Sequence, residues 1–178
     1  MRLHTALLIS TFLPFAAFAA GSDNSEPPKP TETTTVCEEG LIWDEATETC
    51  VVPEKESLNN DTRFNAVREL AYAGRPDEAL VVLAAMTEGD SDRVLTYRGF
   101  ALRKSGDIEG GIAAYEAALV QNPDNILAHS YYGQLLVEMD EMDLARAHLS
   151  AIRNAGGGDT WAETSLDRAI ATGVTYTF

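Results

Sequence analysis

Positive charge is scarce in this chain. Thirteen Lys and Arg face 28 Asp and Glu, a formal net charge of −15. Nucleic acid and anionic membrane surfaces repel such a polymer, so neither is expected as a partner. The charge also favours a soluble monomer. Cysteine is nearly absent, with Cys37 and Cys50 the only two. There is no second cysteine pair, no His-Glu-x-x-His, no Gly-x-Ser-x-Gly and no phosphate-binding loop. Beyond the first few residues only His129 and His148 occur, and these are placed on helices of different hairpins. Asp90-Ser91-Asp92 opens like a calcium loop but lacks the next ligand, the Gly and the closing Glu, so it reads as a helix cap. Gly156-Gly157-Gly158 lacks the Lys and hydroxyl of a phosphate cradle. Asp140, Glu141 and Asp143 read as a solvated turn. An enzyme is not expected, nor a cofactor or a metal.

Long apolar runs are missing too, with one exception. Ala6–Phe18 is almost uninterrupted, follows Arg2, and leads into the small–any–small pattern Ala17-Phe18-Ala19. These are the marks of an export leader over residues 1–19, cleaved ahead of Ala20. The run is short for a membrane span and contains Pro14. No Cys follows it, so a lipoprotein anchor is not supported. The chain is therefore expected in the periplasm or outside the cell. In that oxidising setting Cys37 and Cys50 are expected to pair.

Residues 20–36 are rich in Ser, Pro, Thr and Glu and read as a disordered linker. Residues 37–53 read as a small separate unit. Leu41-Ile42-Trp43 and Cys50-Val51-Val52 are strand-like around a polar turn, and the disulfide closes a hairpin outside the repeat core. The spacing Cys37-x2-Gly40-Leu41-x-Trp43-Asp44-x5-Cys50 resembles the terminal hairpin of peritrophin-type chitin-binding modules, which are longer and carry several disulfides. That resemblance implies Trp43 as a sugar-stacking residue. The alternative is Trp43 packed on the disulfide or on the first helix.

The strongest signal lies downstream. Gly99, Leu102, Ile108, Gly111 and Tyr115 recur as Gly133, Leu136, Met142, Ala145 and Leu149, always 34 residues later. Leu70, Gly74, Ala79 and Leu83 form a degenerate earlier copy at an offset of 32. Leu95-x-x-Arg98-Gly99-x-x-Leu102, then Gly111, Tyr115, Ala118 and Pro123, resembles a unit of the tetratricopeptide repeat family. Leu95, Arg98 and Gly111 depart from that pattern, and Gly157 stands where the next unit would close with Pro. The resemblance implies an all-α fold, a right-handed superhelical stack of about three helix hairpins plus a C-terminal capping helix. This repeat domain is expected over residues 58–172, behind the disulfide hairpin.

The punctuation gives the helices. The first starts at Asn60 or Asp61 and runs to about Ala73. Pro76-Asp77-Glu78 opens the second, which ends before Gly89. Further helices are expected near 93–104, 108–121, up to 139, and 142–154. Thr160-Trp161-Ala162-Glu163 reads as a capping box opening the last. The tail, residues 173–178, alternates and ends in Phe like a barrel signal, but no other alternating strands accompany it. It is expected to pack on the last helix or to fray.

In the resembled family the first helix of each hairpin lines a concave groove. Projected here, the groove-lining side chains are Phe64, Asn65, Arg68, Tyr72, Arg93, Thr96, Tyr97, Phe100, Arg103, Lys104, Leu127, Tyr131 and Gln134. Aromatics and Arg are the types enriched at binding hot spots. Four of these residues are basic in an acidic chain, so the implied partner is an acidic peptide with apolar anchors. Arg103 and Lys104 are expected on the solvent side. The alternative is that the cations pair with Asp92, Glu138 or Asp107 as ordinary surface. Three functions follow: an exported protein–protein adaptor, a glycan-associated envelope protein using Trp43, and a self-associating module.

Overall fold

A computed structural model describes residues 36–176. The expected leader, almost all of the linker and the last two residues lie outside the described residues. Within them, two short strands precede seven helices.

Strands β1 (Ile42–Asp44) and β2 (Thr49–Val51) pair antiparallel, with Trp43 opposite Cys50. The Cys37–Cys50 disulfide closes the hairpin as expected. Asp44 organises the turn. It accepts from Ala46 N at 3.0 Å and Lys55 Nζ at 2.7 Å, and also from the Thr47 hydroxyl. Lys55, then Thr47, hold its carboxyl below the usual range.

The hairpin is not outside the core. Ile42 is buried in the same apolar cluster as Leu58, Phe64, Val67 and Leu83, and Val51 packs against it. A two-stranded ribbon has no interior of its own, so Ile42 finds cover only against the first helix. Arg63 fixes the arrangement. It is buried, and its guanidinium donates to Pro53 O at 2.8 Å, Leu58 O at 2.7 Å and Lys55 O at 3.0 Å. Gly40 N donates to Glu78 at 2.9 Å, tying the hairpin to the second helix as well.

The helices are α1 (Asn60–Tyr72), α2 (Pro76–Ala84), α3 (Asp92–Ser105), α4 (Ile108–Gln121), α5 (Ile126–Glu138), α6 (Met142–Asn154) and α7 (Trp161–Thr172). Side-chain caps set most starts: Asn59, Ser91, Asp107, Asn125 and Thr160 each accept from a first-turn amide. The first cap is Asn59 and not Asn60 or Asp61. Asn60 instead accepts from Thr87 N at 3.0 Å, bracing the connection after α2. Only half of the expected capping box forms. Thr160 Oγ1 accepts from Glu163 N at 3.2 Å, while the Glu163 carboxylate turns away to Arg153 at 2.7 Å.

Small residues let the paired helices close. A Cβ on Gly99 would lie 2.6 Å from the Tyr115 ring, and one on Gly111 would lie 3.2 Å from Gly99 O. α3 and α4 therefore cross backbone to backbone. The turn after each inner helix takes a left-handed residue: Gly74, Gly106 and, one period later, Asp140 with φ 63°. α7 repeats the relation of α5 to α3. The 34-residue offset carries Leu127, Tyr131 and Gln134 onto Trp161, Ser165 and Arg168. α7 packs on α5 and α6 as the expected capping helix. Its Leu166 fills the space that a side chain at Gly133 would need.

Arg63→Met keeps most of the buried stem but removes its donors to three carbonyls. It is expected to lower stability by about 3 kcal/mol in urea unfolding. Hydrogen exchange should show residues 40–58 losing protection before the helices do. Unchanged protection there would show that the hairpin docks without the guanidinium.

Candidate binding groove

The inner helices α1, α3, α5 and α7 lie in sequence beside one another, with α2, α4 and α6 behind them. Their facing side chains form a continuous aromatic ladder. Phe64 meets Tyr97 edge-on at 5.2 Å between centroids, and Tyr97 meets Tyr131 at 6.1 Å. Phe100 lies 4.9 Å from Tyr131, which meets Trp161 at 6.1 Å. Edge-to-face and tilted pairs at such distances are favourable beyond their buried area.

The ladder is a floor and not an open wall. Phe64, Tyr97, Phe100 and Tyr131 are each 1 or 2% exposed. The rings are wide enough to bridge adjacent inner helices, so they meet one another and not solvent. Burial, only partly opposed by Arg68 and a contact with Tyr131, pushes the Tyr97 hydroxyl up to about 12. Burial raises Tyr131 as well. Both stay neutral at any physiological pH.

The polar members divide. Leu127, Thr96 and Gln134 are buried. Thr96 donates to Asp92 O at 2.7 Å and accepts from Asn125 at 3.1 Å, so it holds the junction between α3 and α5. Arg103 was expected in solvent and is instead 5% exposed. It donates to Glu138 at 2.8 and 2.5 Å and to Tyr131 O at 3.1 Å. Burial works against the Glu138 charge, but Arg103 and Thr175 hold its carboxyl below the usual range. Arg93 lies over the Phe64 ring at 4.8 Å and pairs with Glu88 and Asp61 at 2.9 Å. Arg68, Tyr72 and Lys104 are half-exposed at the rim. Lys104 Nζ stands 5.8 Å from the Phe100 ring centroid, and burial followed by Arg103 lowers its pKa.

Asn65 departs from the set. It is exposed and lines a small crevice of about 60 Å³ with Trp43, Glu45, Thr62 and Glu69. Trp43 is half-buried there, at the junction of hairpin and α1. The inner face also extends beyond the residues expected to line it. A pocket of about 410 Å³ lies between α7 and residues 174–176, lined by Trp161, Ser165 and Arg168 among others. Trp161 sits one period after Leu127, so the spacing already held that signal.

The histidines need a correction. They belong to the two helices of one hairpin, α5 and α6, and their Nδ1 atoms are 2.7 Å apart. His129 Nε2–H donates to Pro123 O at 2.9 Å, which leaves its Nδ1 to accept from His148. Burial, then His129, lowers His148 to about 4. Among the described residues no group of three or more metal-binding side chains forms.

Residues 102–163 match the family model for the tetratricopeptide repeat, from the end of α3 into α7. Repeats of this kind serve in general as protein–protein interaction modules and are typically non-enzymatic. Searches of curated proteins and of solved structures return no match.

The histidine pair makes a pH prediction. Unfolded His148 takes a proton near 6.5, whereas folded His148 resists until about 4. Its contribution is present above pH 6.5 and is lost as pH falls toward 4. With the ring partly exposed, the loss is expected to be roughly 1–2 kcal/mol. Urea unfolding of His148→Gln should show a shallower fall across that window than the parent. Parallel curves would place the pH dependence in other groups.

Proposed function

The chain carries tetratricopeptide repeats over residues 102–163, and on that premise we propose that it is an exported adaptor that captures another protein. The partner contributes an extended segment, laid over the inner face of α1, α3, α5 and α7. One observation carries the reading: half-exposed Arg68, Tyr72, Lys104 and Trp161 rim the buried aromatic floor in a chain of net charge −15. The segment it suits is acidic with apolar anchors. Acidic groups reach Lys104 and the Arg68 edge, while apolar side chains meet the half-exposed rings of Tyr72 and Trp161. Arg93 and Arg103 stand apart from this role, because the first is spent on Glu88 and Asp61 and the second on Glu138 and the Tyr131 carbonyl. The protein acts by binding alone, as a monomer, without a cofactor.

Export is supported by the leader-like sequence and by the disulfide. No helix among the described residues is long and apolar enough to cross a membrane. The half-buried seat of Trp43 against α1 favours its role as an end cover over sugar stacking.

Two measurements test the proposal. On an array of acidic, aromatic-containing peptides, Lys104→Glu should weaken binding about 10- to 100-fold with helicity unchanged, and added salt should weaken the parent. Arg103→Glu should instead unfold more easily, since it sets two carboxylates together in a buried site. Equal binding by parent and Lys104→Glu would move the interface away from this face. N-terminal sequencing of exported protein should begin at or near Ala20, and recovery with Met1 in a membrane fraction would exclude the cleaved leader.

A further inference from the structure

The end of the inner face is already occupied by the chain itself. α7 stops at Gly173, whose left-handed backbone (φ 71°) turns residues 174–176 back across α7 and α5. The segment is then gripped through both backbone and side chain. Tyr176 N donates to Gln134 Oε1 at 2.9 Å. Lys104 Nζ reaches Tyr176 O at 3.4 Å. The Thr175 hydroxyl donates to Glu138 Oε1 at 2.5 Å. The Tyr176 ring meets Trp161 edge-on at 5.0 Å, continuing the aromatic ladder beyond α7.

This is the grammar of peptide recognition. One backbone N–H and one C=O of a single residue are read, a preceding hydroxyl is read, and an aromatic ring is seated. The receiving groups are held by the fold. Gln134 is 1% exposed and is oriented by Ser130 and Ser165. Glu138 is fixed by Arg103, and Trp161 rests on Tyr131. Gln134 and Glu138 are thus presented whether or not anything lies on them. The seated segment is uncharged, and Glu138 disfavours an acid at the hydroxyl position. We propose that this end of the groove is a subsite for an extended protein segment carrying a hydroxyl residue followed by an aromatic. In the free protein Thr175-Tyr176 is its resident occupant, and a partner binds by displacing it. The inference rests on the groove reading above and specifies its C-terminal end.

The full-length chain tests it through the Trp161 indole resonance, with Trp43 as internal control. Tyr176→Ala is expected to shift the Trp161 signal and leave Trp43 alone, while Tyr176→Phe keeps the parent position. The probe is a capped peptide, Gly-Val-Thr-Tyr-Thr-Phe, the sequence of residues 173–178. Added to the Tyr176→Ala chain, it should return Trp161 toward the parent position. The unmodified chain should need at least about tenfold more peptide, because its own segment competes at an effective concentration on the order of millimolar. A Thr-to-Val peptide should bind more weakly. An identical Trp161 signal in parent and Tyr176→Ala would overturn the seating. A shift that the peptide fails to reverse at about 5 mM would mark the segment as a fixed strap and overturn the subsite. Either failure beside a working Lys104 effect on the peptide array removes this inference alone. Loss of the Lys104 effect removes the groove reading with it.

Discussion

The stack depends on rings meeting rings across neighbouring inner helices. Phe64, Tyr97, Phe100, Tyr131 and Trp161 form one uninterrupted file through four helices. Each ring takes part of its cover from a neighbouring inner helix. Adjacent units therefore stabilise each other through the file, and no unit is complete without its neighbour. The close crossing at Gly99 and Gly111 serves the same end, since it brings α3 near enough to α4 for Tyr115 to fill behind it. The rings share the interior with Arg63 and Arg103, each of which donates to several acceptors.

Arginine plays two unlike parts. Arg63 and Arg103 are interior staples, each spending its planar fork on main-chain carbonyls, a carboxylate or both. Arg68 and Arg93, with Lys104, stay within reach of solvent along the rim. An acidic chain gains from this division. Two of its few cations hold loop to helix or helix to helix, while Arg93, Arg98, Arg146 and Arg153 pair with carboxylates nearer the surface.

Much of the architecture was legible. The 34-residue offset located the hairpins, and α6 runs over Met142–Asn154 as the pattern indicated. Proline, glycine and capping residues fixed the turns because each acts through local backbone chemistry. Burial on the inner face was less legible. Periodicity says that Tyr97 and Tyr131 point inward, but only the distance between helices decides whether a ring meets water or another ring. Arg103 misled for a related reason: its partner Glu138 is 35 positions away, and only the stacking brings them together. The histidines lie 19 positions apart across the helix–helix turn and face each other only once α5 and α6 are packed. The hairpin's place in the core followed from Ile42, a single residue with no periodic neighbours to announce it.

The way the hairpin covers α1 gives the disulfide a task beyond closing a turn. Ile42 and Leu58 shield the apolar edge that begins the stack, and one sulfur–sulfur bond holds the ribbon shut behind them. The bond leaves the ribbon fewer ways to lift from α1, so the cover is held at both ends, by the disulfide and by the Arg63 fork.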